Sequence, residues 1–130
     1  MTILPFVIFW GMSLMYSCNS NKKYLVGLAS DQANVICDAC YHLGEAGDTS
    51  AVPLLLNGIL DPRRSTDLHY KGMSVNYCRL GALNKISGLP SGRRPVQFNV
   101  DTVATLFYLD WAVKQGYIMN KKDVDIDYQK

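Results

Sequence analysis

The chain of 130 residues is long enough for one domain with a buried core. Its 13 lysines and arginines nearly balance 11 aspartates and glutamates, and the net charge of +2 argues against a strongly charged surface aimed at nucleic acid or an acidic partner. Hydrophobic residues make up 48% of the chain, as in globular proteins, but the first 21 residues carry no charge.

The uncharged start contains an apolar run at residues 3–16, followed by Ser17 and Cys18. A run of about fourteen residues is shorter than the roughly twenty of a membrane-spanning helix and matches the apolar region of a secretory signal. The segment Leu-Met-Tyr-Ser-Cys resembles a bacterial lipobox, in which the cysteine is lipidated and becomes the new N-terminus. The resemblance implies a signal peptide at 1–17 and a lipidated Cys18 with a tether at 18–29. An uncleaved anchor and an apolar helix packed on the domain are the alternatives.

The first helix is predicted to begin after Ser30 and Asp31. The hydroxyl can cap free N–H groups, and the carboxylate suits the positive end of the helix dipole. Gly44 and Gly47 are expected to end the helix, because glycine adopts the left-handed turn without penalty. Six apolar residues at helical spacing predict a buried stripe: Val35, Ile36, Ala39, Cys40, Leu43 and Ala46.

The second helix is predicted from residues 48–50 to about Leu60. Pro53 is tolerated only in its first turn, where N–H groups lack helical partners. Asp61 and Pro62 are expected to close it. The loop at residues 61–73 follows, and long loops on a rigid scaffold often carry function.

The third helix is predicted to follow Ser74, whose hydroxyl can cap it. Five residues are expected to face inward: Val75, Cys78, Ala82, Leu83 and Ile86. Arg79 falls inside this apolar stripe, where an unpaired charge would be costly. We therefore expect it to snorkel or to pair with a carboxylate such as Asp38 or Asp48, and a ligand-facing arginine is the alternative.

The fourth helix is predicted between Asp101 and Gly116 and is apolar on nearly every side. Such a helix is buried on several sides or covered by a partner. Tyr108 and Trp111 are amphipathic aromatic residues, a type enriched in interface hot spots, and are the predicted partner-binding residues. Packing against the tail and the third helix is the alternative for both.

Two stretches of the chain, residues 35–47 and 75–87, correspond at an offset of forty residues. Apolar positions coincide in four pairs: Val35 with Val75, Cys40 with Leu80, Leu43 with Leu83, and Ala46 with Ile86. A repeat of this length is typical of stacked helical hairpins, in which each unit buries its apolar face against the next.

The stretch YHLGEAGDTSAVPLLLNGILDP, within residues 30–88, resembles the short bacterial HEAT-like repeats. That family runs an alanine-rich helix into L-G-x-x-G-D, then A-V-P-x-L and an apolar helix ending at D-P. The resemblance implies an all-α fold over residues 30–130. It would be a short α-solenoid of HEAT-like hairpins with about four main helices, of which the last, at 101–116, is a C-terminal cap.

Cysteine and histidine residues suggest zinc or redox chemistry but lack a complete motif. Cys37 and Cys40 form one C-x-x-C pair, and a zinc ribbon would need a second pair. A disulfide from Cys37 or Cys40 to Cys78 is the alternative in an oxidising compartment, and buried or surface thiols are another. The residues from Asp123 to Asp127 imitate the start of a calcium loop without its glycine. We predict no metal and no cofactor.

The predicted function is that of a protein-binding or scaffolding module, lipid-anchored in a bacterial cell envelope. Its partners would be another protein and, through the lipid, the membrane, with no nucleic acid. The paired arginines at 63–64 and 93–94 are expected to be solvated surface. A lyase-type HEAT-like enzyme is one alternative, which His42 or His69 in a cleft would favour. A thiol- or metal-based sensor is the other.

Overall fold

The computed structural model describes residues 21–91 and 96–128, which leaves the predicted signal and Cys18 outside the described residues. Within these ranges the regular structure is helical and no strand forms, which confirms the all-α class. The helices are residues 21–27, α1 (Ala33–Ala46), α2 (Val52–Leu56), α3 (Val75–Ser87) and α4 (Thr102–Gln115), with 3₁₀-helices at Thr49–Ala51 and Lys121–Asp123. No described helix is long and apolar enough to cross a membrane.

Helix α1 begins later than the sequence predicts and ends at Gly47, the second of the two glycines expected to end it. Ser30 accepts a hydrogen bond from the Gln32 N–H at 3.1 Å, so it organises the turn before the helix rather than capping it. The helix continues through Gly44 and ends at Gly47, which has φ 64°. A Cβ on Gly44 would lie 3.1 Å from the Ala82 Cα. Gly44 therefore allows the close approach of α1 to α3 and does not end the helix.

The predicted stripe on α1 is correct at its centre and wrong at its ends. Ile36, Ala39, Cys40 and Leu43 are at most 1% exposed, whereas Val35 is 40% exposed and Ala46 also faces solvent. In the forty-residue correspondence, the two central pairs are therefore equally buried, and the Val35 pair is not. Helices α1 and α3, which carry these two stretches, pack directly against each other.

Helix α2 ends at Leu56 instead of about Leu60. Gly58 has φ 72°, which a continuing helix does not allow. The N–H groups of Gly58 and Leu60 donate to the carbonyls of Asp125 and Ile126 at 2.7 and 2.9 Å. Pairing with the C-terminal segment thus replaces the last predicted helical turn.

The caps of α3 and α4 are as predicted. The Ser74 side chain accepts from the Tyr77 N–H, the Asp101 side chain accepts from the Ala104 N–H, and Gly116 ends α4 with φ 80°. A buried amide that the sequence did not indicate joins the two helices. Asn76 donates to the Thr105 hydroxyl at 3.1 Å and accepts from the Asp101 N–H at 2.9 Å. These two bonds hold the start of α4 against α3.

Candidate binding groove

A groove with a volume of about 590 Å³ lies between α1, α3 and the loop at 61–73. We call it the α1–α3 groove. Helix α1 contributes one wall, α3 the opposite wall, and the loop closes one side. Its lining combines aromatic, sulfur and polar side chains: Cys37, Asp38, Cys40, Tyr41, His42, His69, Tyr70, Met73, Tyr77, Cys78, Gly81, Ala82 and Lys85.

A disulfide joins Cys37 of α1 to Cys78 of α3, with their Cα atoms 5.3 Å apart. The structure thus selects Cys37 rather than Cys40 as the partner of Cys78. Cys37 is 1% exposed and Cys78 is half-buried, so the disulfide forms part of the groove lining. Because it links two helices far apart in sequence, it holds the two walls in a fixed relation.

Cys40 is a free, buried thiol. Burial raises the pKa of Cys40 to about 12, so the nucleophilic thiolate is scarce at neutral pH. Within residues 21–91 and 96–128, no three His, Cys, Asp or Glu side chains converge on a site that could hold a metal ion. Cys40 is therefore a poor candidate for the reactive thiol of a sensor.

The loop at 61–73 is tied to α1 by hydrogen bonds that it donates to one asparagine, Asn34. The Asn34 Oδ1 atom accepts from the Ser65 hydroxyl and from the Thr66 N–H, both at 2.8 Å. At the start of the loop, Arg63 binds the buried Asp61 carboxylate through Nε and Nη2. Arg63 is therefore a structural ion-pair partner and not the solvated surface residue that the sequence predicted. Arg93 and Arg94 lie outside the described residues.

Asp38 connects the loop wall to the α1 wall. Its Oδ1 atom accepts from the Tyr70 hydroxyl at 3.1 Å and lies 3.5 Å from the His42 Nε2 atom. Burial and the hydrogen bond to Asp38 both raise the pKa of the Tyr70 hydroxyl, so Tyr70 stays a neutral donor. The His42 ring stacks on Tyr24 with 4.3 Å between ring centroids, which fixes the imidazole plane.

The rim of the groove carries a cation over an exposed aromatic ring. The Lys85 ammonium lies 4.5 Å from the Tyr41 ring centroid and pairs with Glu45. Tyr41 is 49% exposed, Tyr77 is half-buried, and His69 is exposed. Tyr41, Tyr70 and Tyr77 therefore present ring surface to the groove, while most of its polar side chains are hydrogen-bond donors.

The sequence drew attention to some of these residues but not to the tyrosines. His42, His69 and the cysteines were candidates because they are ligand types. Tyr41 and Tyr77 carry no motif. The signal that could have found Tyr77 is the forty-residue offset, since Tyr77 falls opposite Cys37 at the edge of the helix contact. The loop length was the other signal, because it supplies His69 and Tyr70.

The two predicted partner-binding residues lie away from the groove. Tyr108 is 0% exposed, and its hydroxyl donates to the Leu89 carbonyl at 2.9 Å. Burial raises the pKa of Tyr108 to about 12. Trp111 is half-buried, with its ring centroid 5.2 Å from that of Tyr117. The structure therefore places Tyr108 in the core and packs Trp111 against the residues after α4. This agrees with the alternative interpretation, in which both residues pack within the domain.

Arg79 is 4% exposed, but its partners are not carboxylates. It donates to the carbonyls of Leu54 and Leu55 at 2.8 and 3.2 Å and to that of Leu28 at 3.0 Å. Carbonyls at helix C-termini lack helical partners and carry the negative end of the dipole. The predicted pairing with Asp38 or Asp48 is therefore wrong: Arg79 caps two helix ends. Desolvation by burial lowers its pKa.

The aspartates that imitate a calcium loop have structural contacts. Asp123 accepts from the Met119 and Asn120 N–H groups and closes the short 3₁₀-helix. The backbone N–H of Asp125 donates to the Asn57 side chain at 3.2 Å. This segment therefore serves to dock the C-terminal residues on the turn after α2.

Comparisons with protein-family models, with curated proteins and with solved structures find no match to this chain.

Proposed function

We propose that this protein is a protein-binding or scaffolding module and that its partner docks in the α1–α3 groove. The observation that carries the proposal is that Tyr41, Tyr70 and Tyr77 line one concavity whose walls are joined by a disulfide. Ligand sites are concave, and tyrosine combines a large apolar ring with a polar tip. A disulfide-linked, pre-organised groove also loses less conformational freedom on binding.

The chemistry of the groove favours an extended, proline-containing segment of another protein. Proline residues lack an N–H donor, and a polyproline II segment has no internal hydrogen bonds, so its carbonyls need external donors. The groove offers donors from Tyr77, His69 and Lys85, while Asp38 already accepts from Tyr70. Aromatic-lined grooves bind proline-rich segments in several recognition domains.

Binding of defined peptides to the full chain tests this proposal. A proline-rich peptide and a matched peptide with alanine in place of proline would be titrated by isothermal calorimetry. We expect Tyr77→Ala to weaken binding of the first peptide by about 1–3 kcal/mol, as aromatic anchors do. Tyr77→Phe keeps the ring and removes the hydroxyl, so it separates stacking from hydrogen bonding. Equal affinity for both peptides, or no binding of either, would exclude the proline-containing occupant.

A variant outside the groove provides the control. Val103 on α4 is 59% exposed and lies away from the lining residues. Val103→Ser should leave peptide affinity unchanged, and circular dichroism should show intact helices for every variant. A loss of affinity in Val103→Ser equal to that in Tyr77→Ala would assign binding to α4 instead.

The proposal includes export and lipid anchoring at Cys18, in a bacterial cell envelope. The Cys37–Cys78 disulfide supports it, because such bonds persist in oxidising compartments. Cells fed labelled palmitate should label the protein, and Cys18→Ala should remove the label. Label that persists in Cys18→Ala would contradict the lipid anchor while leaving the groove proposal intact.

The arrangement of the helices as a short α-solenoid of HEAT-like hairpins belongs to the same proposal. Its support is the direct packing of α1 on α3, the two helices that correspond in the repeat. Leu43 and Leu83 are both 0% exposed, so these equivalent positions are equally buried. Stacked first helices of neighbouring repeats would share such a contact.

A lyase-type enzyme is the second candidate, on one observation. His42 and His69 both line the α1–α3 groove, and Asp38 lies beside His42. An imidazole beside a carboxylate is the usual arrangement of a general base. The variant His42→Gln distinguishes the two candidate functions. It should abolish turnover if the protein is an enzyme, and it should leave the affinity for a proline-rich peptide largely unchanged if the protein is a binding module.

A further inference from the structure

Asn57 and Gly58 form the only Asn–Gly pair in the sequence. Asparagine is a thermolabile residue, and glycine is the least hindered successor because it has no side chain. Asn57 is exposed and directly follows α2, and Gly58 has φ 72°. An exposed Asn–Gly turn is the setting in which the glycine nitrogen most readily attacks the asparagine side chain.

Both reacting groups are held by one residue of the C-terminal segment. The Gly58 N–H donates to the Asp125 carbonyl at 2.7 Å. The Asn57 Oδ1 atom accepts from the Asp125 backbone N–H at 3.2 Å. Attack requires the Gly58 nitrogen to lose its proton and turn toward the Asn57 side-chain carbon. The Gly58 hydrogen bond must therefore break before the reaction can start, and the bond to Asn57 Oδ1 restrains the side chain while the tail stays in place.

Residues 124–128, which we call the tail, contain no fully buried residue. Val124 and Ile126 are half-buried against the core, and the Leu60 N–H donates to the Ile126 carbonyl at 2.9 Å. The Arg63 guanidinium lies 4.7 Å from the Tyr128 ring centroid. A segment with few buried contacts opens at a lower free energy than the whole domain.

We propose that Asn57 is a deamidation site that the tail protects. Deamidation can occur only while the tail is transiently released, and it then keeps the tail from binding again. With the tail away, the Gly58 nitrogen gives its proton to solvent base and attacks the Asn57 side-chain carbon. The carbon–nitrogen bond of the side-chain amide breaks and ammonia leaves, which forms a succinimide. Water then opens the ring at either carbonyl to give aspartate or isoaspartate.

The product disfavours return of the tail for an electrostatic reason. Asn57, Asp61, Asp125 and Asp127 all line a second cavity of about 340 Å³. Together with Asp31, four aspartates face two arginines in this lining, so deamidation takes its formal charge from −2 to −3, and like charges at close range repel. Isoaspartate also adds a methylene to the backbone, which shifts the register of Gly58 against Asp125. Either product therefore weakens the contacts that held the reacting groups apart.

The guarding step is tested by peptide mapping of Asn57 during incubation in mildly alkaline buffer. Ile126→Ser removes half-buried apolar surface from the tail and should raise the rate of deamidation at Asn57 about tenfold. Val103→Ser makes the matched change at an exposed site on α4 and should leave the rate unchanged. Equal rates in wild type and in a folded Ile126→Ser variant would overturn the guard.

The wild type supplies a comparison that needs no variant. Its Asn57 should deamidate at least about tenfold more slowly when folded than in denaturing urea, because only the opened fraction reacts. If Ile126→Ser loses its helical circular dichroism spectrum, the ratio of the deamidation rates in folded and denatured wild type tests the protection instead. Folded and unfolded rates that agree would show that the tail protects nothing.

The lasting release is tested with Asn57→Asp, which carries the charge of the aspartate product. Hydrogen exchange at the Gly58 and Leu60 amides should speed up about tenfold, because both donate to the tail. Asn84→Asp adds the same charge at an exposed position on α3 and is the control. Unchanged exchange at Gly58 and Leu60 in Asn57→Asp would overturn the release.

Discussion

Removing the Arg79 guanidinium should destabilise the fold more than any surface substitution. Arg79→Met keeps the length of the buried stem but removes donors from the carbonyls of Leu28, Leu54 and Leu55. Each buried carbonyl that loses its donor lowers the free energy of unfolding by about 1–3 kcal/mol. Removing the desolvated charge of the guanidinium offsets part of this loss. We therefore expect a loss of about 3–5 kcal/mol in the free energy of unfolding.

Arg79→Lys separates charge from geometry. The ammonium keeps the positive charge near the C-terminus of α2, but it is a compact donor without the planar fork of arginine. We expect one ammonium to leave either the Leu28 carbonyl or the α2 carbonyls without a donor, because the guanidinium reaches them through two different nitrogens. The lysine variant should therefore lie between wild type and Arg79→Met.

Urea unfolding followed by far-ultraviolet circular dichroism measures the effect, with linear extrapolation to water. Arg64→Met is the matched control, because Arg64 is exposed, its Nε atom donates to the Gly72 carbonyl, and its guanidinium lies over the Phe98 ring at the surface. The control should lose less than about 1 kcal/mol. A loss that small for Arg79→Met as well would show that the helix-end carbonyls find other donors and would refute the capping role.

Other substitutions test the core and the groove. The disulfide closes a loop across a sequence separation of 41, so replacing Cys37 and Cys78 together by serine should lower the free energy of unfolding in urea by about 4 kcal/mol. Adding reductant to this double variant should have no further effect. Leu43→Ala and Leu83→Ala should each cost about 2–5 kcal/mol, and small losses at both would contradict their place in the core. Burial raises the pKa of Tyr108 from 10.0 in the unfolded chain to about 12 in the folded protein. The contribution of Tyr108 to the free energy of unfolding is therefore complete below pH 10.0 and is lost as the pH rises through about 12. Tyr108→Phe should flatten that alkaline loss in melting temperatures, and an unchanged pH profile would contradict the burial of the hydroxyl.

The helical class and most helix ends could be predicted from the sequence because they depend on nearby residues. Ser74 and Asp101 cap their helices through N–H groups three residues away, and Gly47 and Gly116 supply the left-handed turn. The prediction that Gly44 also ends a helix was wrong, although Gly44 and Gly47 are both glycines. Whether a glycine ends a helix or admits a neighbouring helix is decided by what packs against it.

The groove could be predicted only in fragments. The sequence singled out Cys37, Cys78, His42 and His69 as chemically distinctive, and left open which cysteines pair. It did not indicate that these residues share one concavity with Tyr41, because they come from α1, the loop and α3. The position of the loop depends on Asn34 binding Ser65 and Thr66, a contact between residues about thirty apart, which no local pattern encodes.

The sequence by itself determined the helical class and most helix ends, because propensity, capping and apolar spacing act within a few residues of each other. Only the tertiary structure decided what buried polar groups bind. Arg79 was expected to find a carboxylate, and it found the carbonyls of Leu54 and Leu28 instead. Similarly, Gly58 bonds to Asp125 rather than within α2. The physical reason is that a buried donor is stabilised by whichever acceptor the packed chain brings within reach, and that acceptor can lie anywhere in the sequence.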